Sequence, residues 1–152
     1  MKKQVVFISS SGGHFSQLLQ IIKEYKGSFV LITEKNKTLD SNMYNDIRFL
    51  RQQDRKKWYF SFIFLLNVVN SIKYVFKIKP KVVVTTGAGV TIPFCLLAKI
   101  LGGKIIFIES FAKVHSPTLT GKIIYKFSDR HYVQWQELLN NYPKAIYKGA
   151  IY

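Results

Sequence analysis

Two junctions of the same design constrain this chain more than anything else in it. At the first, the apolar run Val5-Val6-Phe7-Ile8 ends in Ser9-Ser10-Ser11-Gly12-Gly13-His14 and reopens as a helix-like pattern from Phe15 to Tyr25. At the second, Val82-Val83-Val84 runs into Thr85-Thr86-Gly87-Ala88-Gly89 and again into a helical pattern. A strand that stops in small residues and restarts as a helix aims free backbone N–H groups at one spot. The helix dipole adds partial positive charge there. Two such turns on one parallel sheet fall on the same edge, where α/β proteins hold ligands. Ser11, Gly12, Gly13, Gly87, Ala88 and Gly89 are therefore the expected phosphate- or ligand-binding positions. The glycines either admit a phosphate closely or simply permit tight turns.

The rest of the chain repeats the alternation. Strands are expected at about 4–9, 28–33, 47–50, 82–86, 104–109, 130–134 and 145–148. Helices are expected at about 14–25, 58–78, 90–101 and from Pro117 to about Phe127, with a short one at 136–141. Gly102-Gly103 makes a good helix stop. This order predicts βαβ units and a Rossmann-like parallel sheet with helices on both faces, in one domain over 1–152. Glu34–Arg55, polar and turn-rich, is the segment expected to move most.

A length of 152 residues suffices for one domain with a real core, and 48% hydrophobic residues argue against disorder. The formal charge of +15 points to anionic partners: nucleic acid, anionic lipid or phosphorylated substrates. Cys95 is the one cysteine, so there is no disulfide framework, as expected of a reducing compartment. Val5–Ile8 is too short for the apolar region of a signal peptide, so no secretory signal is expected.

Trp58–Ile78 is the most apolar stretch. Its polar residues Asn67, Asn70, Ser71 and Lys77 recur at helical spacing, and basic residues flank it on both sides. A spanning helix needs about 20 nearly uncharged residues. This one reaches that length only by including its polar positions, so an in-plane helix at a membrane surface fits better. Trp58, Phe62, Phe64 and Leu65 are the expected membrane contacts. The alternatives are a sheet-covering helix with a broad apolar face, or a true span.

Two side chains are candidates for catalysis. His14 stands at a helix start, where the dipole favours a neutral imidazole that accepts a proton; it is either a base or a capping residue. Glu109 ends the run Ile105-Ile106-Phe107-Ile108 on the same edge as the glycine turns; it is either functional or paired with a lysine. His115 and His131 have no metal-ligand spacing with Cys95 or each other, so no metal site is expected. Glu34 is the nearest acid after the first turn, but its setting fits a nicotinamide-dinucleotide site poorly, and no cofactor is expected.

Taken in order, Ser10-Ser11-Gly12-Gly13-His14, Thr86-Gly87-Ala88-Gly89-Val90, Ile108-Glu109-Ser110-Phe111, Thr118-Leu119-Thr120-Gly121-Lys122 and Val133-Gln134-Trp135 form a specific set. With them the chain resembles the PssD-type bacterial polysaccharide biosynthesis proteins and the eukaryotic membrane-anchor subunit of the dolichol-linked GlcNAc transferase. The similarity runs from Val5 to about Gly149. It implies the N-terminal, acceptor-binding half of a GT-B glycosyltransferase, like the enzyme that adds GlcNAc to lipid I. It also implies a separate UDP-sugar-binding subunit as partner, and an undecaprenyl-diphosphate-linked saccharide as acceptor in capsular or exopolysaccharide synthesis. The eukaryotic members carry an N-terminal transmembrane helix; this chain opens on its first strand, so Trp58–Ile78 is the expected substitute for attachment.

The expectation is thus a peripheral protein on the cytoplasmic membrane face. His14 would be base or positioning group, with the glycine turns near diphosphate. Partner contact is expected at or near Tyr142–Tyr152, which could equally form a last strand packed on its own domain. A non-catalytic anchor or activator is the first rival. A nucleic-acid-binding domain is the second; the aromatics cluster in an apolar helix instead of interleaving with cations, so no nucleic acid is expected as partner.

Overall fold

The computed structural model describes residues 5–35, 44–54 and 56–152. Seven parallel strands form one sheet: β1 (Val5–Ser9), β2 (Phe29–Glu34), β3 (Ile47–Leu50), β4 (Val82–Gly87), β5 (Lys104–Ile108), β6 (Arg130–Val133) and β7 (Ile146–Tyr147). The spatial order is β3-β2-β1-β4-β5-β6-β7, the doubly wound arrangement in which the chain reverses direction between β1 and β4. The helices are α1 (Gly13–Glu24), α2 (Phe60–Ile78), α3 (Ile92–Ile100) and α4 (Leu119–Tyr125). The Rossmann-like α/β expectation holds, with element ends displaced by one or two residues.

Strand periodicity divides the core cleanly. Val6, Ile8, Val30, Ile32, Val83 and Ile105 point to one face, while Phe7, Leu31, Val84 and Ile108 point to the other. The first face is covered by α2, α3 and α4, and the second, among the described helices, by α1. Over β5 and β6 the α1 face is closed only by the C-terminal segment, whose Ile151 joins that cluster. A recess of about 380 Å³ remains there, walled by Ile21, Val84, Ile106, Ile108 and residues 148–151.

The expected mobile segment divides in two. Residues 36–43 and 55 lie outside the described residues, but Glu34 is the last residue of β2 and is buried. Pro117 does not start α4; Thr118 caps it, its hydroxyl accepting the Gly121 N–H at 2.8 Å.

His131, on β6, lies in an aromatic box of Phe107, Tyr125 and Tyr142, with ring centroids 4.4–5.0 Å away. It is 3% exposed and neither ring nitrogen has a hydrogen-bond partner. Burial pulls its pKa down to about 4 from 6.5. As pH falls from 6.5 towards 4, the unfolded chain takes up a proton that the folded chain refuses. Stability should therefore fall across that window, by about 3 kcal/mol at full extent. His131→Phe should flatten the dependence of Tm on pH between those limits, which thermal melts in a pH series would check.

Candidate functional site

The two glycine turns meet at the switch point between β1 and β4. The Ser10 N–H donates to the Gly87 carbonyl at 3.0 Å, and the β1–β4 register shifts at Ile8/Ser9 as the chains part. His14 ties the turns together from above. Its Nδ1 lies 2.7 Å from the Thr86 carbonyl oxygen, while the Thr86 hydroxyl donates back to the His14 carbonyl at 2.7 Å. A carbonyl only accepts, so Nδ1 carries the hydrogen. In the neutral ring Nε2 is then the nitrogen with the free lone pair. His14 is in this way both a clamp between the turns and chemically able to take a proton.

The glycines divide by role. Gly12 has φ 78°, and Gly87 has φ 98° with His14 Cε1 3.3 Å from where its Cβ would stand. Both are required by the backbone itself. Gly13 is different: it is the first residue of α1, and a Cβ there would meet nothing within 4 Å. A branched residue would therefore strain the turn at 12, not at 13. Helix α1 has no side-chain cap and no acid in its first turn, leaving its leading N–H groups for an outside acceptor. Ala88 and Gly89 pass into a short 3-10 turn ahead of α3, held by the Thr91 N–H and hydroxyl on the Ala88 carbonyl at 3.0 and 2.8 Å.

Ser11 does not face an anion as part of that platform. Its N–H and hydroxyl donate to Glu34 Oε2 at 3.0 and 2.9 Å, and Glu34 Oε1 accepts the Gln53 N–H at 3.0 Å. A carboxylate already occupies the place beside Ser11 that the glycine-turn pattern assigns to a phosphate. Nothing in the spacing reveals this, because Glu34 and Gln53 are brought in by β2 and by the segment after β3.

Glu109 stands at the sheet edge as expected, but its side chain is enclosed and 0% exposed. Oε1 accepts the Ser110 N–H at 2.9 Å and the Thr118 hydroxyl at 2.8 Å; Oε2 accepts the Thr118 N–H at 3.2 Å and the Tyr142 hydroxyl at 2.9 Å. Four donors fill both oxygens. The carboxylate stitches β5 to the start of α4 and to Tyr142, and pairs with no lysine among the described residues. Burial and that carboxylate push the Tyr142 phenol pKa upward. Gln134 carries the stitching on to α1, donating to the Glu109 carbonyl and to Gln17 Oε1, both at 2.9 Å.

Beside the turns opens a cavity of about 620 Å³. It is lined by Ser10, Ser11, Glu34 and Gln53, by Ala88 and Gly89 of the second turn, and by the apolar Phe60, Phe64, Ile92 and Leu119. Ser11, Ala88 and Gly89 are expected ligand positions, and Phe64, expected as a membrane contact, lines this cavity; Gln53, Phe60 and Ile92 do not stand out from sequence alone. Among the described residues no His, Cys, Asp and Glu group that could hold a metal is present.

Helix α2 is inside out. Its buried residues are Asn67, Ser71 and Val75, whereas Phe62, Leu65, Val69, Ile72 and Phe76 are 40–61% exposed along its outer side. Asn67 grips the Arg51 peptide with both ends of its amide, each bond 2.8 Å. The polar stripe thus holds the helix to the domain and the apolar stripe faces out. Trp58 at 93%, Ile100 at 70% and Leu119 at 62% extend that outer surface. By length and composition α2 could cross a membrane; in this fold it packs against α3 over the sheet with most of its length uncovered.

The C-terminal segment packs on its own domain. The Ile151 N–H donates to Gln134 Oε1 at 3.0 Å and the Tyr152 ring meets Phe111 edge-on at 5.3 Å.

Comparison with known proteins agrees with this architecture. Among solved structures, Acinetobacter baumannii MurG superposes with a TM-score of 0.69 at 16% identity, over 88% of this chain and 42% of that one. A UDP-GlcNAc 2-epimerase from Methanocaldococcus jannaschii gives 0.67 at 13% identity, over 91% and 41%. The chain therefore spans about two-fifths of these proteins, and the likeness is one of fold. The protein named UDP-N-acetylglucosamine transferase subunit ALG14 from Rattus norvegicus is 29% identical over 97% of this chain and 82% of its own length. Its namesake from Schizosaccharomyces pombe is 44% identical over 47% of this chain. A family model described as "Oligosaccharide biosynthesis protein Alg14 like" matches residues 32–151. That span runs from the end of β2 through the second glycine turn, the Glu109 network and the C-terminal strand, and the chain belongs to the Alg14-like family of oligosaccharide biosynthesis proteins.

Proposed function

We propose that this chain is the acceptor-side, membrane-associated subunit of a split glycosyltransferase, and that a separate subunit supplies the UDP-sugar. The observation that carries the proposal is the His14 clamp, which joins two glycine turns at the sheet's switch point and leaves Nε2 as the lone-pair nitrogen. In the reaction, the acceptor hydroxyl attacks the anomeric carbon of the donor sugar, His14 takes the hydroxyl proton, and the bond to the nucleotide diphosphate breaks. The leading N–H groups of α1 and the 87–89 turn take up charge on the diphosphate. A lipid-diphosphate saccharide is the acceptor class; the PssD-type, undecaprenyl-linked setting of capsular or exopolysaccharide synthesis is the version we favour, at the cytoplasmic membrane face. The relatives' designation as a subunit supports the need for a partner. So does the half-covered α1 face, whose recess beside residues 148–151 gives a partner element apolar surface to fill.

Reconstitution tests it. The purified chain should give no transfer from UDP-sugar to a polyprenyl-diphosphate saccharide, and adding the nucleotide-sugar subunit should start it. Turnover by that subunit alone would favour the other reading, an anchor and activator, for which the outward apolar helix is the supporting feature.

Two further outcomes are expected. Gly13→Ala should leave Tm unchanged or slightly raised, since alanine favours the helix by about 0.5–1 kcal/mol, yet should lower transfer if diphosphate approaches the start of α1. Thermal melts beside a transfer assay would separate the two. High-salt or carbonate washing should release much of the protein from membranes, and Phe62→Glu with Leu65→Glu and Val69→Glu should release more. Flotation with anionic vesicles reads this out, and full resistance to extraction would indicate a span.

A further inference from the structure

The cavity beside the first glycine turn is bordered by Ala88 and Gly89 of the second turn, but its wall also carries a carboxylate. Glu34, 5% exposed, forms part of its wall, and among the described residues lining it there is no lysine or arginine. In a chain of charge +15 this is an anionic recess. The basic residues Lys35 and Arg51 line a different recess, of about 430 Å³. All three partners of the Glu34 carboxylate are donors, and they fill three of its roughly four acceptor positions, leaving one on Oε1. Gln53 contributes an Nε2 with no partner. Across the cavity Phe60 and Phe64 stack at 6.5 Å with their planes 26° apart.

A phosphate placed here would meet a carboxylate of like charge, with no cation among the described residues of the wall, at a cost that low polarity enlarges. A neutral ring bearing hydroxyls meets the opposite case. Its O–H groups donate to Oε1, its oxygens accept from Gln53, and its C–H edges lie on the negative faces of the phenyl rings. We infer that this cavity is a binding site for an uncharged sugar ring and that Glu34 is the residue that makes it reject phosphate. The inference deepens the acceptor-side reading and rests on it for one point, that the ring is the saccharide end of the lipid-linked acceptor. The diphosphate is thereby held off Glu34 and Ser11, towards Gly13 and the 87–89 turn, whose Ala88 and Gly89 form another part of the cavity's border.

Amide-resolved NMR titration of the full chain tests this, with methyl N-acetyl-β-glucosaminide as the neutral probe and sodium pyrophosphate at matched ionic strength as the anion. The glycoside should shift the Ser11 and Gln53 N–H signals saturably, with a dissociation constant on the order of millimolar for so small a ligand, and pyrophosphate should leave them in place. Glu34→Gln should weaken the glycoside about tenfold or more. Leu119→Arg, at the exposed rim of the cavity and outside the Glu34 network, should admit pyrophosphate without disturbing the fold. Pyrophosphate shifting Ser11 and Gln53 in the unaltered chain, or neither probe shifting them, overturns the inference. Sugar-dependent shifts in a chain that no partner renders active would leave the cavity standing and remove the glycosyltransferase reading. Transfer with a silent cavity would do the reverse.

Discussion

Glu109→Ala should largely unfold the domain. The change strands the Ser110 and Thr118 N–H groups and the Thr118 and Tyr142 hydroxyls in a place with no water. Each buried donor left without an acceptor costs about 1–3 kcal/mol. Even with partial relaxation the total is on the order of 3–5 kcal/mol, a large share of the roughly 5–15 kcal/mol that holds a domain together. Gly121→Val should do the same from the other side, because a Cβ there runs into the Glu109 carboxylate and comes within 2.6 Å of the Tyr142 hydroxyl. Urea unfolding of both variants would check the size of the effect. A catalytic carboxylate open to substrate would behave differently: Glu109→Ala would then keep its midpoint and lose only turnover.

His14→Ala should cut transfer in the reconstituted enzyme by about 100-fold or more if the ring is the general base. His14→Asn sharpens the reading. The asparagine amide can still donate to the Thr86 carbonyl and so keep the two turns joined, but it offers no basic nitrogen. Equal losses in the two variants assign the effect to Nε2. Near-normal turnover in His14→Asn with a loss in His14→Ala assigns it to the clamp. The ring is half-buried and its one partner is a backbone carbonyl, so both variants should keep their thermal midpoint within a few degrees.

How much of this was legible in the sequence depended on whether the cause was local. The two glycine turns on one sheet edge follow from apolar runs ending in small residues, and Ile47–Leu50 was placed without error because β-branched and aromatic residues alternate there between polar flanks. The outward stripe of α2 was half legible. Phe62 and Leu65 showed as an apolar surface beside a narrow polar stripe, but periodicity gives the angle between stripes and not which one faces in. Tertiary context decides it: the Arg51 peptide needs partners, and Asn67 supplies them. The surroundings of Glu109, and of Glu34 at the head of the expected mobile stretch, were not legible for a related reason. An acid after an apolar run looks available for chemistry until the donors that converge on it are known, and Ser11, Gln53, Thr118 and Tyr142 reach their carboxylates from segments 9 to 33 residues away. Those encounters are products of the sheet order, not of spacing along the chain.

The bonds from α2 to the first turn form an unbroken series. Asn67 holds the Arg51 peptide, two residues on Gln53 holds Glu34, and Glu34 holds Ser11. Phe60 and Phe64 ride on the same helix and form part of the cavity wall. Helix α2 cannot roll or lift without reshaping the recess at the other end of this strut. Whatever surface receives its outer stripe therefore also sets the dimensions of the recess, so that in this fold anchorage and recognition are a single mechanical part.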